Sequence, residues 1–267
     1  MSSFRESPSA EAGLAGGAVT TDTLLRGRVT LLQPARGFRS SLDPVLLAAF
    51  VTPPFHRFAD IGCGTGALAF LLAAREPRAT GVGVELQARL AGLASAGVAR
   101  NDFAHRLQIV HGDVRERVGR APLERGTFDL VVTNPPYRVL ADGPASPDLE
   151  RAQATHELSL RLHEWIDCAA ALVAPGGRVA VVFPAERLDE LRVGLRARGL
   201  APARLRQVHP RVHRPASRVL VEARAVVEAG ASGADAFVEP PLVLHEADGR
   251  HTPETLRILG EPAAAGG

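Results

Sequence analysis

The chain has 267 residues, 46% of them hydrophobic, which is enough to bury one substantial α/β core. A formal net charge of +2 excludes nucleic-acid binding by overall charge, so only local clusters of its 31 basic residues, all arginine, could support it. Two cysteines exclude a disulfide framework or a zinc set. Neither a membrane span nor a signal peptide is found, so we expect a soluble, cytoplasmic, metal-free protein.

The N-terminal part of the chain precedes the main predicted sheet. Residues 1–22 are rich in Ser, Ala, Gly and Pro, and we expect a disordered tail there. Residues 23–52 are expected to form a small hairpin and a helix, with a strand at 29–33. The helix is predicted to begin at Asp43, whose carboxylate would cap it, with a proline in the first turn.

A glycine-rich turn connects the first strand of the main sheet, at about 55–61, to the next predicted helix. Glycines let the backbone approach a ligand closely, and the helix N-terminus directs its amides at that ligand. The spacing also fits the fingerprint of a nicotinamide dehydrogenase, so this turn alone leaves the cofactor class open. The candidate cofactor-binding residues here are Asp60, Gly62, Cys63, Gly64 and Gly66.

Acidic residues close the next two predicted strands. Glu85 ends the strand at 82–85, at the distance from the glycine turn where a carboxylate accepts hydrogen bonds from a ribose. Asp113 follows the strand at 107–111. Each acidic residue also has a structural interpretation, because Asp113 could cap the following helix and Asp60 could hold the turn. Cys63 is expected to be a small filler residue.

The fourth strand of the main sheet ends in an unusual polar sequence. Its apolar, β-branched run at 129–133 stops at two prolines, which cannot donate to a sheet ladder. Asn134 and the Pro135 carbonyl can accept hydrogen bonds, and Tyr137 offers a stacking face. Together with Pro136, they form a set suited to holding a planar amino group at the carboxyl end of a strand, where open α/β sheets bind ligands.

This quartet resembles the Asn-Pro-Pro-Tyr motif of S-adenosylmethionine-dependent methyltransferases that methylate adenine N6 or a glutamine amide. The resemblance implies that Asn134 and Pro135 accept hydrogen bonds from the target amino group while Tyr137 stacks on the target. The segment 60–66 matches the methyltransferase form of the glycine turn, and Asp113 would then face the adenine of the cofactor. These matches favour S-adenosylmethionine over a nicotinamide cofactor, and the resemblance also makes Asn134 a candidate cofactor-binding residue.

Segments 33–47 and 238–254 resemble the bacterial tRNA(Val) adenine-N6 methyltransferase family, which modifies the adenine following the anticodon. The resemblance implies that Phe38 and Arg39 contact the methionine end of the cofactor or the substrate. It also implies a class I, Rossmann-like three-layer sandwich at 53–228, with a seven-stranded, mostly parallel sheet whose last strand is antiparallel. Residues 229–267 would be an extension docked on this domain, with a role that the sequence leaves open.

Other functions and partners stay open at this point. The same chemistry serves glutamine methyltransferases of release factors, which carry a longer helical N-terminal domain, and other DNA or RNA adenine-N6 methyltransferases. A nucleic-acid-binding protein without catalysis is a third possibility. Five arginines lie within residues 204–218, and we predict that Arg211 and Arg214, with Arg36, contact tRNA; the alternative is a solvated arginine-rich edge. The sequence does not indicate an oligomeric state.

Overall fold

The structure, a computed structural model, describes residues 18–37, 39–135, 160–227 and 236–261. A two-stranded hairpin precedes a nine-stranded mixed sheet that is flanked by helices. In chain order the elements are β1 (Val19–Leu24), β2 (Val29–Pro34), α1 (Asp43–Phe50), β3 (Arg57–Ile61), α2 (Ala67–Arg75), β4 (Thr80–Glu85), α3 (Ala88–Arg100), β5 (Leu107–His111), α4 (Val114–Arg117), β6 (Phe128–Thr133), α5 (Leu162–Leu172), β7 (Val173–Pro184), α6 (Leu188–Arg196), β8 (Leu200–Arg211), β9 (Arg218–Ala225), β10 (Phe237–Val238), β11 (Leu242–His245) and α7 (Pro253–Leu259).

The large sheet confirms the predicted α/β sandwich. Its strands run in the order β5, β4, β3, β6, β7, β9, β8, and the neighbours from β5 to β7 are parallel. Strand β9 is antiparallel to both β7 and β8, as predicted for the last strand of the seven. The sheet has two more strands than predicted, because β10 and β11 both pair in parallel with β8.

Two apolar clusters lie on opposite faces of this sheet, because successive strand residues point to opposite sides. Phe58, Leu130 and Val132 pack with α1, α2 and α3 on one face. The residues between them, including Ala59 and Val131, pack with α5 and α6 on the other face. Burial on both faces explains why the central strands read as continuous apolar runs.

The N-terminal prediction was wrong in two details. Residues 19–22, which we expected in the disordered tail, belong to β1 and pair with β2, so the hairpin forms with the segment before β2. Residues 1–17 lie outside the described residues. Helix α1 has Leu42 at its N-cap position, whereas Asp43 is already helical. The Asp43 carboxylate instead forms an ion pair with Arg218 at 3.3 Å.

The C-terminal extension packs against β8 and ends in a helix that we did not predict. Helix α7 follows Thr252, whose hydroxyl accepts a hydrogen bond from the Thr255 amide at 3.2 Å, and Pro253 occupies its first turn. Arg204 and Arg206 on β8 hold the extension through Glu239 and Glu254. The predicted loop at 141–154 lies outside the described residues.

Candidate active site

The carboxyl ends of β3, β4 and β6 bring the predicted site together. Ile61 pairs with Thr133 on one side and with Val84 on the other. One residue further along, Gly62 therefore lies between Asn134 and Glu85. Since neighbouring strands are about 4.8 Å apart, the glycine turn, the carboxylate and the Asn-Pro sequence share one short stretch of this sheet edge.

The glycine turn has the backbone conformation that its sequence predicts. Gly62, Gly64 and Gly66 have φ of 69°, 57° and 91°, a left-handed region that L side chains rarely adopt. The amides of Gly62 and Cys63 both donate to the Val84 carbonyl, at 2.9 and 3.0 Å. Apart from the two chain neighbours of Gly62, no atom of a described residue lies within 4 Å of the position where a Cβ of Gly62 would be. The turn is thus anchored to β4 and leaves open space above Gly62.

Glu85 is a buried carboxylate held by main-chain amides. Its Oε2 accepts from the Gly64 amide at 2.9 Å and its Oε1 accepts from the Gln87 amide at 2.8 Å. Burial raises the pKa of Glu85, and these hydrogen bonds oppose that rise. The side chain therefore fixes the glycine turn, and each oxygen keeps a second lone pair for a ligand.

Asp60 is buried beneath the same turn. Its Oδ2 accepts from the Ala69 amide in the first turn of α2, at 3.1 Å. Burial, with a smaller contribution from the charge of Glu85, raises the pKa of Asp60 to about 8, although the Ala69 hydrogen bond opposes the rise. These contacts support the structural alternative for Asp60, which joins the end of β3 to α2.

Cys63 is buried and forms no disulfide with a described residue. Burial raises the pKa of its thiol, and the neighbouring carboxylates Asp60 and Glu85 raise it further. A thiol that keeps its proton is a poor nucleophile. The geometry agrees with the expected filler role.

Asp113 caps α4, as the structural alternative predicted, because its carboxylate accepts from the Arg115 amide at 2.9 Å. The Arg115 guanidinium also binds this carboxylate, with its Nε 2.9 Å from Oδ1, and reaches Glu164 of α5 at 2.8 Å. The Arg115 side chain lowers the pKa of Asp113. Asp113 thus stays ionised at the end of β5, within a three-residue ion-pair network.

Asn134 differs from these acidic residues because one of its polar atoms has no partner. Its Oδ1 is shielded from solvent and accepts no hydrogen bond from any described residue. The preceding residue, Thr133, is fully buried and donates from Oγ1 to the Ile61 carbonyl at 2.9 Å, which ties the end of β6 to β3. A buried acceptor without a donor costs free energy, so this amide oxygen is a candidate position for binding a ligand.

Three predicted site residues, Phe38, Pro136 and Tyr137, lie outside the described residues. Arg39 is described, and its guanidinium binds Asp22 at 2.7 Å and the Thr20 hydroxyl at 2.8 Å. These bonds attach the segment after β2 to the hairpin. The contact of Arg39 with the cofactor or the substrate stays a prediction.

The arginine-rich stretch 204–218 divides into two groups. Arg204, Arg206 and Arg218 are engaged in ion pairs that join distant parts of the chain. By contrast, Arg211 and Arg214 are exposed, at the end of β8 and in the turn after it. Because β8 runs parallel to β7, this turn lies at the same sheet edge as Asn134. Arg36, after β2, is also exposed.

Several residues of this edge were missed by the sequence analysis. Thr133 was available as a signal, since a hydroxyl directly before Asn134 interrupts an otherwise apolar run. Arg115 stands two residues after Asp113, which is a common spacing for a local ion pair at a helix start. Thr65 in the glycine turn is buried, and its hydroxyl has no partner among the described residues.

The fold and this sheet edge define a class I methyltransferase. The family model of the methyltransferase small domain matches residues 42–187. A solved structure from Agrobacterium tumefaciens, described as a predicted O-methyltransferase, is 25% identical; the match covers 84% of this chain and 99% of that one, with a TM-score of 0.62. TYW2 from Pyrococcus horikoshii, solved in complex with MeSAdo, is 15% identical and shares the fold, with a TM-score of 0.55 over 79% of this chain and 72% of that one.

Curated relatives narrow this class to one family. The tRNA1(Val) (adenine(37)-N6)-methyltransferase of Porphyromonas gingivalis is 33% identical over 244 residues, which is 89% of this chain and 93% of the relative. The enzyme of the same name from Dickeya chrysanthemi is 33% identical over 79% of this chain and 81% of the relative. The chain belongs to the tRNA1(Val) (adenine(37)-N6)-methyltransferase family. Among the described helices, none is long and apolar enough to cross a membrane.

Proposed function

We propose that the chain transfers a methyl group from S-adenosylmethionine to the N6 amino group of an adenine in the anticodon loop of a tRNA(Val)-like substrate. The observation that carries this proposal is the unpartnered Asn134 Oδ1, which lies one strand away from the open glycine turn. The relatives' printed name supplies the substrate. The fold of this family supplies the cofactor class.

The glycine turn and its neighbours fit the cofactor. The space above Gly62 admits a ligand to the backbone, and the left-handed glycines keep side chains away from it. Glu85 would accept hydrogen bonds from the ribose hydroxyls with its remaining lone pairs. Asp113, at the end of the next strand, would lie at the adenine. Cys63 and Asp60 would support the turn from below.

Asn134 and Pro135 fit the target amino group. An adenine amino group has two hydrogens, and the Asn134 Oδ1 and the Pro135 carbonyl are two acceptors fixed on adjacent residues. Tyr137 would stack on the base, which has to leave the loop's stack to reach this edge. Such a grip orients the nitrogen lone pair towards the cofactor side of the edge.

Positioning accounts for most of the catalysis in this scheme. When bound, S-adenosylmethionine supplies an electrophilic methyl group on a sulfonium. Transfer would exchange its carbon–sulfur bond for a carbon–nitrogen bond, with the neutral thioether as the leaving group and the extra N6 proton passing to water. Asn134 and Pro135 hold the nitrogen in line for this step, which converts a bimolecular encounter into a positioned one.

The exposed arginines would hold the RNA around this edge. Guanidinium groups bind phosphates in a forked geometry, and Arg36, Arg211 and Arg214 carry no ion pair with a described carboxylate. Replacing Arg211 and Arg214 together with Gln should weaken tRNA binding and reduce its salt slope by roughly 1.4, since each phosphate contact contributes about 0.7 to 0.9. Gel-shift titrations at several salt concentrations measure both quantities. Unchanged affinity would remove these arginines from the RNA interface.

A labelling experiment tests the proposed function. The enzyme is incubated with methyl-labelled S-adenosylmethionine and, in separate reactions, unmodified total tRNA, DNA or a release factor. We expect label in tRNA, as N6-methyladenine after digestion to nucleosides. Label in the release factor would favour a glutamine methyltransferase, and the absence of label with retained tRNA binding would favour a binding protein.

A further inference from the structure

A cavity of about 630 Å³ lies far from the candidate active site. It is formed by the turn between β1 and β2, by α1, by the last turn of α2 and by the end of α7. Helix α2 starts at the glycine turn and returns across the sheet, so its last residue, Arg75, lies at the sheet edge opposite Asn134. The N-terminal hairpin and the C-terminal extension thus meet at this cavity.

Among the described residues, four arginines and no acidic residue line the cavity. They are Arg26 and Arg28 from the hairpin turn, Arg75 from α2 and Arg257 from α7. None of the four forms an ion pair with a carboxylate within the described ranges. Four guanidinium groups around one space repel each other, so an anion bound among them would be stabilised.

The rest of the lining indicates the kind of anion. The floor is aliphatic, with Val45, Leu71 and Ile258, and apart from the arginines the described lining residues present no polar side chain. Small-molecule sites usually add a few placed polar groups that fix the ligand's orientation. Here Arg26, Arg28 and Arg257 are exposed at the rim. This arrangement favours a polyanion that lies across the mouth, with its sugar face against the apolar floor.

The hairpin turn that carries two of these arginines is strained. Leu25 and Arg26 have φ of 48° and 58°, and Gly27 follows at 84°. For a residue as bulky as Leu the left-handed region is an outlier, and such strain persists only where surrounding structure fixes it. Helix α7 provides that support, because a Cβ on its C-cap Gly260 would lie 3.4 Å from the Leu25 Cα.

The hairpin also links this cavity to the active-site edge. Strand β2 begins after Arg28 and runs towards Arg36, eight residues further along the chain. At about 3.3 Å per residue, the two arginines lie up to roughly 26 Å apart. An RNA stem is A-form and rises about 2.8 Å per base pair, so roughly nine pairs are needed to cover that length.

We propose that this cavity is a second RNA contact, which binds backbone phosphates of the tRNA stem while the target adenine occupies the Asn134 edge. The inference rests on the proposed function. It assigns the C-terminal extension a role in substrate binding, because α7 supplies Arg257 and supports the turn that carries Arg26 and Arg28.

The test compares two triple variants with equal loss of charge. The pocket variant is Arg26→Gln, Arg28→Gln, Arg257→Gln, and the control is Arg120→Gln, Arg125→Gln, Arg196→Gln, whose positions are exposed and do not line the cavity. For full-length tRNA, the pocket variant should raise KM about tenfold at unchanged kcat and lower the salt slope of binding by about 2. A hairpin RNA with a stem of about four base pairs is too short to extend from the Asn134 edge to the cavity. For this RNA, the KM of the pocket variant should equal the KM of the wild type.

Equal KM values for the pocket and control variants would overturn the inference, and so would an equal loss on the short hairpin. Titration with AMP is a further arm: AMP binding that the pocket variant abolishes, with tRNA affinity unchanged, would replace the RNA contact by a small-anion site. If the wild type labels no tRNA, the proposed function fails. The RNA contact at the cavity can still be tested separately, by comparing the gel-shift affinities of the pocket and control variants for full-length tRNA.

Discussion

The carboxylates beneath the glycine turn and the amide at the end of β6 are buried polar groups of the same sheet edge, yet their hydrogen bonding differs. Glu85 and Asp60 accept from main-chain amides of the turn and of α2. Asn134 Oδ1 accepts from no described group. Protein amides thus satisfy these two carboxylates, whereas the Asn134 oxygen has no donor among the described residues. Under the proposed function, this contrast separates the residues assigned to the cofactor side from the residue assigned to the substrate.

The largest expected effect comes from Asn134→Ala, which removes the unpartnered acceptor. We expect kcat on tRNA to fall about 100-fold or more, because the amino group loses its orientation. Affinity for S-adenosylmethionine, measured by calorimetry, should stay within about twofold, since Asn134 holds no part of the turn. Full turnover of Asn134→Ala on tRNA with labelled S-adenosylmethionine would contradict the substrate-binding role that distinguishes Asn134 from the two carboxylates.

Glu85→Gln is expected to act mainly on the cofactor side. One of its two carboxylate oxygens becomes an NH2 group that faces a backbone amide instead of accepting from it. We expect the Kd for S-adenosylmethionine to rise about tenfold, and kcat at saturating cofactor to change less. The exposed Glu116→Gln serves as the control. Unaltered cofactor affinity in Glu85→Gln would contradict the assigned role.

Asp60→Asn should alter the pH dependence of stability. With a folded-state pKa of about 8, the folded protein keeps a proton that the unfolded chain releases near 3.8, so the wild type loses stability as pH rises through this window. The slope from this group is about 1.4 kcal/mol per pH unit at most. Denaturant unfolding from pH 4 to pH 8 should show a flatter profile for Asp60→Asn. If the unfolding free energies of the wild type and of Asp60→Asn changed equally with pH, Asp60 would not be protonated in the folded protein.

The smallest effect is expected for Thr133→Val, which keeps the shape but removes the hydrogen bond to Ile61. Stability should fall by about 1 kcal/mol. A several-fold decrease in kcat without a change in cofactor affinity would show that this bond also positions the adjacent Asn134. Thr23→Val on the exposed hairpin is the control in both the urea titration and the turnover assay.

Much of this edge could be predicted because its sequence signals are local. The glycines at 62, 64 and 66 require a special backbone, and two prolines after a β-branched run fix where β6 ends. Parallel strands end at a common edge, so the meeting of Asn134, Gly62 and Glu85 followed from their positions at strand ends.

Other features depend on partners distant in sequence. The arginines at 204, 206 and 218 looked like one basic patch with 211 and 214, but their acidic partners lie 18 or more residues away: Glu222 and Glu239, Glu254, and Asp43. Strand β1 is rich in threonine and carries no strong apolar pattern, so its pairing with β2 depends on the turn between them. Helix α7 was predictable from Thr252 and Pro253 and was overlooked.

The short strands β10 and β11 have a consequence for solubility. Both pair with the outer side of β8, a 12-residue strand that would otherwise end the sheet with a row of unsatisfied amides and carbonyls. An exposed edge strand of this kind can pair with strands of other molecules. A chain cut short before residue 236 should therefore form intermolecular aggregates, a fate from which the last residues protect the enzyme.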